Sequence, residues 1–294
     1  MQILPFDDRK GLIWFNGDYI EWSNAKVHVL NHGLHYGSCV FEGLRIYEGQ
    51  IFKLNEHIQR LYKSASILDL EIPYNEKVII DVCKKITQKQ NVKNGYIRPV
   101  VWRGSEMMAI SALEASTNLA IACWEWPSYF SPEKLLKGIK LTVSKWKRPS
   151  PESAPTDSKA AGLYMICSLS KHKAEQAGFD DALMLDYRGY IAEATGANIF
   201  FVKDKEIFTP KPDCFLNGIT RQAVIEMASK QSFKITERHI LPEEIINFDE
   251  AFLTGTAAEI TPIRSIDEFN FNTGDNTTTF KFMSDFSKMV NDFN

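Results

Sequence analysis

The 294-residue sequence has no uninterrupted apolar run of about eighteen residues, the length at which a segment becomes a candidate membrane span. Its N-terminus, MQILPFDDRKG, lacks the basic stretch followed by an apolar one that is typical of a secretory signal peptide. There is no long basic run, and the formal net charge is −3. These absences argue against a membrane protein and against nucleic acid or an anionic membrane as the main partner.

Closely spaced cysteines are also missing. The five cysteines are widely scattered and no two of them form a C-x-x-C pair; they are Cys39, Cys83, Cys123, Cys167 and Cys214. This spacing argues against a disulfide framework and against a zinc site, and we expect reduced thiols, no metal and a cytoplasmic location. With 44% hydrophobic and 24% charged residues, the chain has a globular composition and the length of two ordinary domains.

Turn signals and apolar periodicity organise the first half of the chain. Asn16-Gly17 and Glu48-Gly49 each interrupt an alternating pattern, which predicts two β-hairpins. Helical spacing then begins after Asn55, a plausible N-cap, and a second helix is predicted over about 75–90. GYIRPVVW and NLAIACWEW are typical of strands. Together these elements predict an antiparallel sheet with helices, an α+β layout.

The segment PSYFSPEKLLKG, with two prolines and no clean period, is the candidate linker. We therefore predict a smaller domain at 1–126, a linker at 127–137 and a larger domain at 138–294. In the larger domain the sequence predicts a strand at IKLTVSKW, a helix that starts around Lys159 and ends near Gly178, and then several strands joined by short polar turns. One helix follows Gly218, and another closes the chain.

Lys159 stands out because its neighbours in DSKAAGLY are small. A partly desolvated lysine is a nucleophile toward carbonyls, and pyridoxal phosphate (PLP) is the commonest bulky aldehyde that such a lysine holds. Small neighbours would let the pyridine ring lie against the backbone. Taken alone, the same stretch also fits a solvated lysine at a helix start, which is the more frequent situation.

A bound pyridine ring would need an acid at its nitrogen and a hydrogen-bond partner at its ring oxygen. Glu193, between two predicted strands, is the candidate acid, and Tyr164 is the candidate partner for the oxygen. A solvated turn carboxylate and a core tyrosine are the alternative interpretations of these two residues.

A phosphate group would need backbone N–H groups, preferably at a helix N-terminus, and a cation. The helix after Gly218 offers the amides of Ile219 and Thr220, and the loop LTGTAAEIT offers a second set. Arg60 lies off the apolar stripe of its helix and is the candidate cation. An ordinary helix cap, a tight turn and a solvated helix face are the alternatives.

These weak signals occur together and in an order that resembles one family. The shared stretches include IWFNG, HYGSCVFEGLR, HIQRL, GYIRP, Lys159 with its small neighbours, and GTAAEITP. The chain resembles the fold-type IV PLP enzymes, and most closely the branched-chain amino acid aminotransferases, from about Leu12 to its end. The resemblance implies a homodimer or a larger assembly of dimers, and a two-domain fold: a smaller N-terminal α/β domain and a larger C-terminal domain of mixed β-sheet, barrel and helices.

The resemblance also implies a role for each matching residue. Lys159 holds the cofactor covalently and moves the substrate proton. The other implied cofactor ligands are Arg60, Tyr164, Glu193, Ile219, Thr220 and Thr256. The implied substrate-binding residues are Phe41, Gly43, Tyr96, Arg98, Trp126, Tyr129, Thr256 and Ala257, together with Tyr36 from the neighbouring subunit. The implied reaction converts L-leucine, L-isoleucine or L-valine and 2-oxoglutarate into branched-chain 2-oxo acids and glutamate, in amino-acid biosynthesis.

Two departures from the family pattern leave alternatives open. Family members commonly carry E-G-x-G-E-N around the ring-nitrogen acid, whereas EATGAN has Ala197 in place of the second glutamate, and the loop RGSEMMAISALEAS also differs. A 4-amino-4-deoxychorismate lyase, a D-amino acid transaminase and an (R)-amine transaminase of the same fold are the alternatives. A binding protein that has kept only the scaffold is a further one.

Overall fold

The computed structural model describes residues 5–126 and 132–291. Its contacts divide the chain into two compact units, Met1–Pro127 with Ser158–Gly162, and Ser128–Asp157 with Leu163–Asn294. The short segment that contains Lys159 therefore belongs to the first unit, whereas the predicted domain boundary assigns it to the second.

The first unit is an antiparallel sheet covered on one face by two helices. Its strands are β1 Leu12–Phe15, β2 Asp18–Glu21, β3 Cys39–Phe41, β4 Leu44–Tyr47, β5 Gln50–Ile51, β6 Gly95–Arg103 and β7 Thr117–Glu125, and its helices are α1 His32–Tyr36, α2 Leu54–Ile67 and α3 Glu76–Lys89. The strand order is β2-β1-β7-β6-β4-β5, and β3 also pairs with β6. The main core of this unit lies between the sheet and helices α2 and α3.

Both predicted hairpins are present in this unit. β1 pairs with β2 around Asn16 and Gly17, and β4 pairs with β5 around Glu48 and Gly49. All four turn residues have positive φ, the conformation that primed hairpin turns require. The predicted N-cap at Asn55 is wrong. Lys53, with φ of 50°, turns the chain sharply so that α2 starts at Leu54, which leaves Asn55 in its first turn.

The second unit contains a mixed nine-stranded sheet and four helices. Its strands are β8 Ile139–Val143, β9 Asp181–Leu185, β10 Ile191–Ala194, β11 Asn198–Lys203, β12 Glu206–Pro210, β13 Lys234–Arg238, β14 Glu250–Gly255, β15 Glu259–Ile266 and β16 Phe269–Asn270; its helices are α4 Pro132–Lys137, α5 Met165–Gln176, α6 Ile219–Lys230 and α7 Thr278–Asn291. The order β10-β9-β8-β15-β14-β11 closes into a six-stranded barrel because β11 pairs back to β10. The predicted mixed sheet with a barrel is confirmed.

Residues 127–131 of the predicted linker lie outside the described residues, and its remaining residues, Pro132–Lys137, form a helix. One sequence prediction is wrong here. The helix predicted to start around Lys159 starts at Met165, after a 3₁₀ turn over Ala161–Tyr164. None of the helices in the described ranges is both long enough and apolar enough to cross a membrane.

Candidate active site

Lys159 lies on a short extended segment that is held against β3 and α2 of its own unit. Ala160 forms an antiparallel bridge with Val40, and the Phe41 amide donates to the Lys159 carbonyl at 3.2 Å. The Ser158 hydroxyl donates to the Ser64 carbonyl at 2.9 Å, and the Lys159 amide donates to the Ser64 hydroxyl at 3.0 Å. These bonds keep the backbone out of a helix. They also fix the position of Lys159, which is half-buried. The alternative interpretation, a solvated lysine in the first turn of a helix, does not describe this segment.

An aromatic and cationic cluster surrounds Lys159 in the same unit. The Lys159 Nζ lies 5.0 Å from the centroid of the Phe41 ring, and the Arg98 guanidinium lies 4.6 Å from that centroid. Arg98 Nη2 donates to the Tyr96 hydroxyl at 3.2 Å, and the Tyr96 and Trp126 rings meet edge to face at 4.7 Å. Lys159 and four of the residues that the family resemblance implies for substrate binding therefore lie together. An amine, an apolar wall and a cation are available in one place.

Gly43 belongs to this cluster because of its size. A Cβ atom at position 43 would overlap the Tyr96 hydroxyl. Any larger residue would displace that hydroxyl, so the glycine leaves room for the Tyr96 side chain, which projects from β6.

Arg60 is linked to a buried acid that the sequence analysis did not single out. Arg60 Nε and Nη2 donate to the two carboxylate oxygens of Glu42 at 2.6 and 3.0 Å, and His57 Nδ1 donates to Glu42 Oε2 at 2.7 Å. Burial alone would raise the pKa of Glu42, but the Arg60 guanidinium and the His57 hydrogen bond outweigh it and hold that pKa well below its usual range. Glu42 lies inside the motif VFEGLR, an acid between apolar strand residues, and this is the signal that could have revealed it.

In the second unit, Glu193 is held by a cation and an amide. Glu193 lies on β10, and its Oε1 is 3.4 Å from Arg148 Nε, while Asn198 Nδ2 donates to its Oε2 at 3.2 Å. Burial would lower the pKa of Arg148, but the Glu193 carboxylate raises it above its ordinary value; Tyr164 and the Cys167 thiol act in the same direction. A carboxylate next to a permanent cation stays ionised. Sequence reasoning missed both Arg148 and Asn198.

Asn198 also connects this carboxylate to a helix N-terminus. Its Oδ1 accepts from the Gly218 amide at 3.1 Å, and its Nδ2 donates to the Leu216 carbonyl at 3.0 Å. Helix α6 starts directly after Gly218, which supplies no side-chain cap. Within the described residues the Ile219 and Thr220 amides have no hydrogen-bond acceptor, so this N-terminus offers an anion two N–H donors and the positive end of a helix dipole.

Three other predicted residues remain in the described ranges, and a fourth lies outside them. Thr256 and Ala257 are half-buried in the turn between β14 and β15 of the second unit, next to Gly255, which approaches Ala197. Tyr36 ends α1 and is exposed, with its ring 4.6 Å from that of His32. Within residues 5–126, no ring contact or hydrogen bond joins it to the Phe41 cluster. Tyr129 lies outside the described residues.

Comparison with known proteins decides the family. Residues 39–266 match the family model "Amino-transferase class IV". The chain belongs to the class IV aminotransferases. A probable branched-chain-amino-acid aminotransferase of Rickettsia felis is 48% identical over 255 residues, 87% of each chain, and the branched-chain-amino-acid aminotransferase of Pseudomonas aeruginosa is 42% identical, covering 88% of this chain and 86% of its own.

Solved structures agree with this assignment. A crystal structure of the Escherichia coli branched-chain amino acid aminotransferase has a TM-score of 0.91 and 36% identity, over 96% of this chain and 95% of its own. An aminotransferase from Brucella abortus, bound to the cofactor PLP, has a TM-score of 0.85 and 29% identity, over 96% of this chain and 99% of its own. The fold is that of the fold-type IV aminotransferases, and the chain is an aminotransferase.

Proposed function

We propose that this aminotransferase uses PLP to transfer amino groups from L-leucine, L-isoleucine and L-valine to 2-oxoglutarate. The observation that carries the proposal is the cluster in which Lys159 and Arg98 lie over one phenyl ring, that of Phe41. An aliphatic side chain needs an apolar wall, and a substrate with a second carboxylate needs a cation nearby. This cluster supplies both beside a nucleophilic amine. The relatives named above are branched-chain aminotransferases, which favours this function over a lyase or a D-selective enzyme.

The chain's own residues fit the three chemical parts of the cofactor. Lys159 supplies a primary amine for the aldehyde, Glu193 a carboxylate for the ring nitrogen, and the N-terminus of α6 two N–H donors for the phosphate. We assign Tyr164 to the ring oxygen, and Arg60, Ile219, Thr220 and Thr256 to the phosphate. When bound, PLP withdraws electrons from the substrate Cα and so makes its proton acidic.

The Lys159 amine is the base that we assign to the proton of the substrate Cα. A lysine can accept that proton only in its neutral form. The backbone bonds to Ser64 and Phe41 hold the amine in place before and after the transfer. The catalytic role of the segment is therefore to position one atom.

We assign the substrate pocket to Phe41, Trp126 and Tyr129 as the apolar wall and to Gly43, which admits Tyr96. The Tyr96 hydroxyl, together with the amides of Thr256 and Ala257, is assigned to the α-carboxylate. Arg98 already donates to Tyr96, so it would orient that hydroxyl and also attract the second carboxylate of glutamate or 2-oxoglutarate.

A panel of amino donors tests the proposed reaction. The purified protein, saturated with PLP, is given L-leucine, L-isoleucine, L-valine, their D-enantiomers and (R)-1-phenylethylamine, each with 2-oxoglutarate or pyruvate. We expect glutamate from the three L-amino acids and 2-oxoglutarate, at rates at least about a hundredfold above those of the D-amino acids and the amine. A preference for D-amino acids or amines would refute the substrate assignment. Pyruvate release from 4-amino-4-deoxychorismate without transamination would support the lyase.

We also propose that the protein is a cytoplasmic homodimer. The support for the dimer is an exposed apolar patch in the first unit, formed by Val29, Leu34, Ile110 and Leu113. The two segments that carry it are joined, because His32 Nε2 is 2.9 Å from the Ala109 carbonyl oxygen. Apolar side chains concentrated in this way mark protein–protein contacts. The support for the cytoplasm is that all five cysteines are free thiols.

Charged substitutions in the patch test the dimer. Ile110 is 87% exposed and Leu113 is 76% exposed, so we expect the fold of the first unit to tolerate aspartate at both positions. We expect the double variant to sediment as a monomer at concentrations where the wild type sediments as a dimer. Ile246→Asp, at a 71% exposed position of the second unit, is the matched control and should stay dimeric. A dimeric double variant would exclude this patch as the interface.

A further inference from the structure

Glu42 is a buried acid with no surface exposure and no role among the residues assigned above. It accepts two hydrogen bonds from Arg60, one from His57 and one from the Gly43 amide at 3.2 Å. Its carboxylate therefore faces donors from α2 and from the start of the Gly43 turn. A carboxylate that is completely buried persists only when its partners satisfy it in this way.

The charges in this cluster are well defined. Glu42 is ionised, because its pKa is held below its usual range by Arg60 and His57. Burial, together with the nearby charges of Arg60 and Lys159, lowers the pKa of His57, although the Glu42 carboxylate raises it. We therefore take His57 as neutral, with its proton on Nδ1, where it donates to Glu42. The cluster therefore consists of one ion pair, Glu42 with Arg60, and one neutral donor that fixes the orientation of the carboxylate.

The pairing determines how the Arg60 guanidinium is oriented. Both oxygens of Glu42 engage the edge of the guanidinium that carries Nε and Nη2, a bidentate geometry that fixes the plane of the group. The direction of the remaining edge, which carries Nη1, follows from that plane. An arginine without such a partner would have to give up several side-chain rotamers on binding an anion.

Glu42 is itself anchored to the backbone around Lys159. Its amide donates to the Pro99 carbonyl at 2.9 Å, and its neighbour Phe41 donates to the Lys159 carbonyl at 3.2 Å. The backbone of Glu42 is therefore fixed to strand β6, which carries Tyr96 and Arg98. It links the position of Arg60 to the position of the reactive amine.

We propose that Glu42 is a positioning residue that aims the Arg60 guanidinium at the phosphate group of the cofactor. This inference rests on the proposed function, in which Arg60 binds that phosphate. The arrangement gives an oriented cation before the cofactor arrives. Glu42 acts through Arg60 and contributes nothing to binding of the pyridine ring.

The test compares two aldehydes that differ only in the phosphate group. Apo protein is titrated with PLP and with pyridoxal, and binding is followed by the visible absorbance of the lysine-bound aldehyde. For Glu42→Gln we expect the Kd of PLP to rise about ten- to a hundredfold, as for loss of a charge-assisted hydrogen bond, while the Kd of pyridoxal changes by less than about threefold. Adding Glu42→Gln to Arg60→Met should cause no further loss of PLP affinity, because the two residues act as one unit.

Controls separate this role from a structural one. Glu250 is a second buried acid, which accepts from the amides of Thr278 and Thr279 in the second unit, and Glu250→Gln should leave both affinities unchanged. If Glu42→Gln does not fold, Arg60→Lys keeps the charge but cannot form the two-pronged pair, and its PLP affinity should fall as far as that of Arg60→Met.

The possible failures are distinguishable. Equal losses of PLP and pyridoxal affinity in Glu42→Gln, or losses in the double variant that add up, would overturn the inference while leaving the proposed function intact. PLP binding by Arg60→Lys within about threefold of the wild type would also overturn it. A wild-type protein that binds neither aldehyde would refute the proposed function, and the inference with it.

Discussion

Replacing Arg221 by methionine tests whether one buried cation holds the N-terminus of α6. Arg221 is 1% exposed and donates four hydrogen bonds: to the Asn217 side chain at 2.8 Å, the Pro210 carbonyl at 3.1 Å, the Thr209 hydroxyl at 3.3 Å and the Glu237 carboxylate at 2.6 Å. Asn217 directly precedes Gly218, so the guanidinium ties the start of the helix to strands β12 and β13.

The expected loss follows from these contacts. Removing one partner of a buried ion pair costs about 3–5 kcal/mol when the other charge is left buried. The Glu237 side chain is 45% exposed and can be rehydrated, and the Thr209 hydroxyl keeps its bond to the Ile199 carbonyl. Methionine also fills much of the volume of arginine without the cost of burying a charge. We therefore expect the free energy of unfolding to fall by about 2–4 kcal/mol.

Urea unfolding followed by tryptophan fluorescence measures this loss. Arg238→Met is the matched control, since Arg238 makes a two-pronged pair with Glu244 at 3.0 and 2.7 Å, but both side chains are about one third exposed. Such a pair is worth less than about 1 kcal/mol. If Arg221→Met cost no more than Arg238→Met, the burial of the guanidinium would have no energetic consequence and the reasoning would be refuted.

Three shorter predictions concern the first unit. Lys159→Ala should abolish turnover and the yellow colour that borohydride bleaches in the wild type, and measurable turnover would contradict the role of the amine. Gly43→Ala should raise the KM for L-leucine at least about tenfold, because the added methyl group displaces the Tyr96 hydroxyl, with an unchanged cofactor spectrum; an unchanged KM would argue against the assigned contact. The free energy of unfolding should fall as the pH drops below about 6.5, because His57 stays neutral in the fold but binds a proton when unfolded. It should fall further below about 4.3, because Glu42 stays ionised in the fold but binds a proton when unfolded; each of these two groups contributes at most about 1.4 kcal/mol per pH unit. Urea titrations at several pH values should show that His57→Gln loses the first dependence, and a dependence identical to that of the wild type would contradict it.

The parts of the fold that follow local rules were predictable from the sequence. Asn16, Gly17 and Gly49 readily adopt the positive φ of these turns, and Asn75 caps α3 by accepting from the Val78 amide at 3.0 Å. The start of α2 was mispredicted because Lys53 adopts positive φ without being a glycine or an asparagine. Nothing in its side chain indicates that conformation.

The candidate site also contains residues that the sequence indicated and residues that it did not. Phe41, Tyr96, Arg98, Trp126 and Lys159 were singled out in the sequence, and the structure brings them together in the first unit. The residues that were missed act through their partners. Glu42, Arg148 and Asn198 are polar groups whose importance depends on a partner distant in sequence, at separations of 15 to 18 residues for Glu42 and 45 for Arg148 with Glu193. A local pattern can mark one member of such a pair, as VFEGLR marks Glu42, but it cannot reveal the partner.

At Lys159, tertiary contacts outweigh the local preference of the sequence for a helix. Small residues such as those at 160–162 are compatible with a helix, but the bonds from Ser158 and Lys159 to Ser64 and the bridge to Val40 stabilise an extended backbone instead. Contacts from a segment 95 residues earlier in the chain therefore decided the local conformation.

The five residues Ser158–Gly162 complete a body whose other residues end at Pro127. Two separate segments of the polypeptide thus form the first unit. A gene truncated after residue 127 would encode that unit without Lys159 and without the extended segment that bonds to Val40 and Ser64. Neither unit is encoded by one continuous segment of the chain. Swapping the N-terminal half with that of a relative would exchange Ser64 while retaining the Ser158 and Lys159 that bond to it, so chimeras should be designed with a second crossover on each side of this insert.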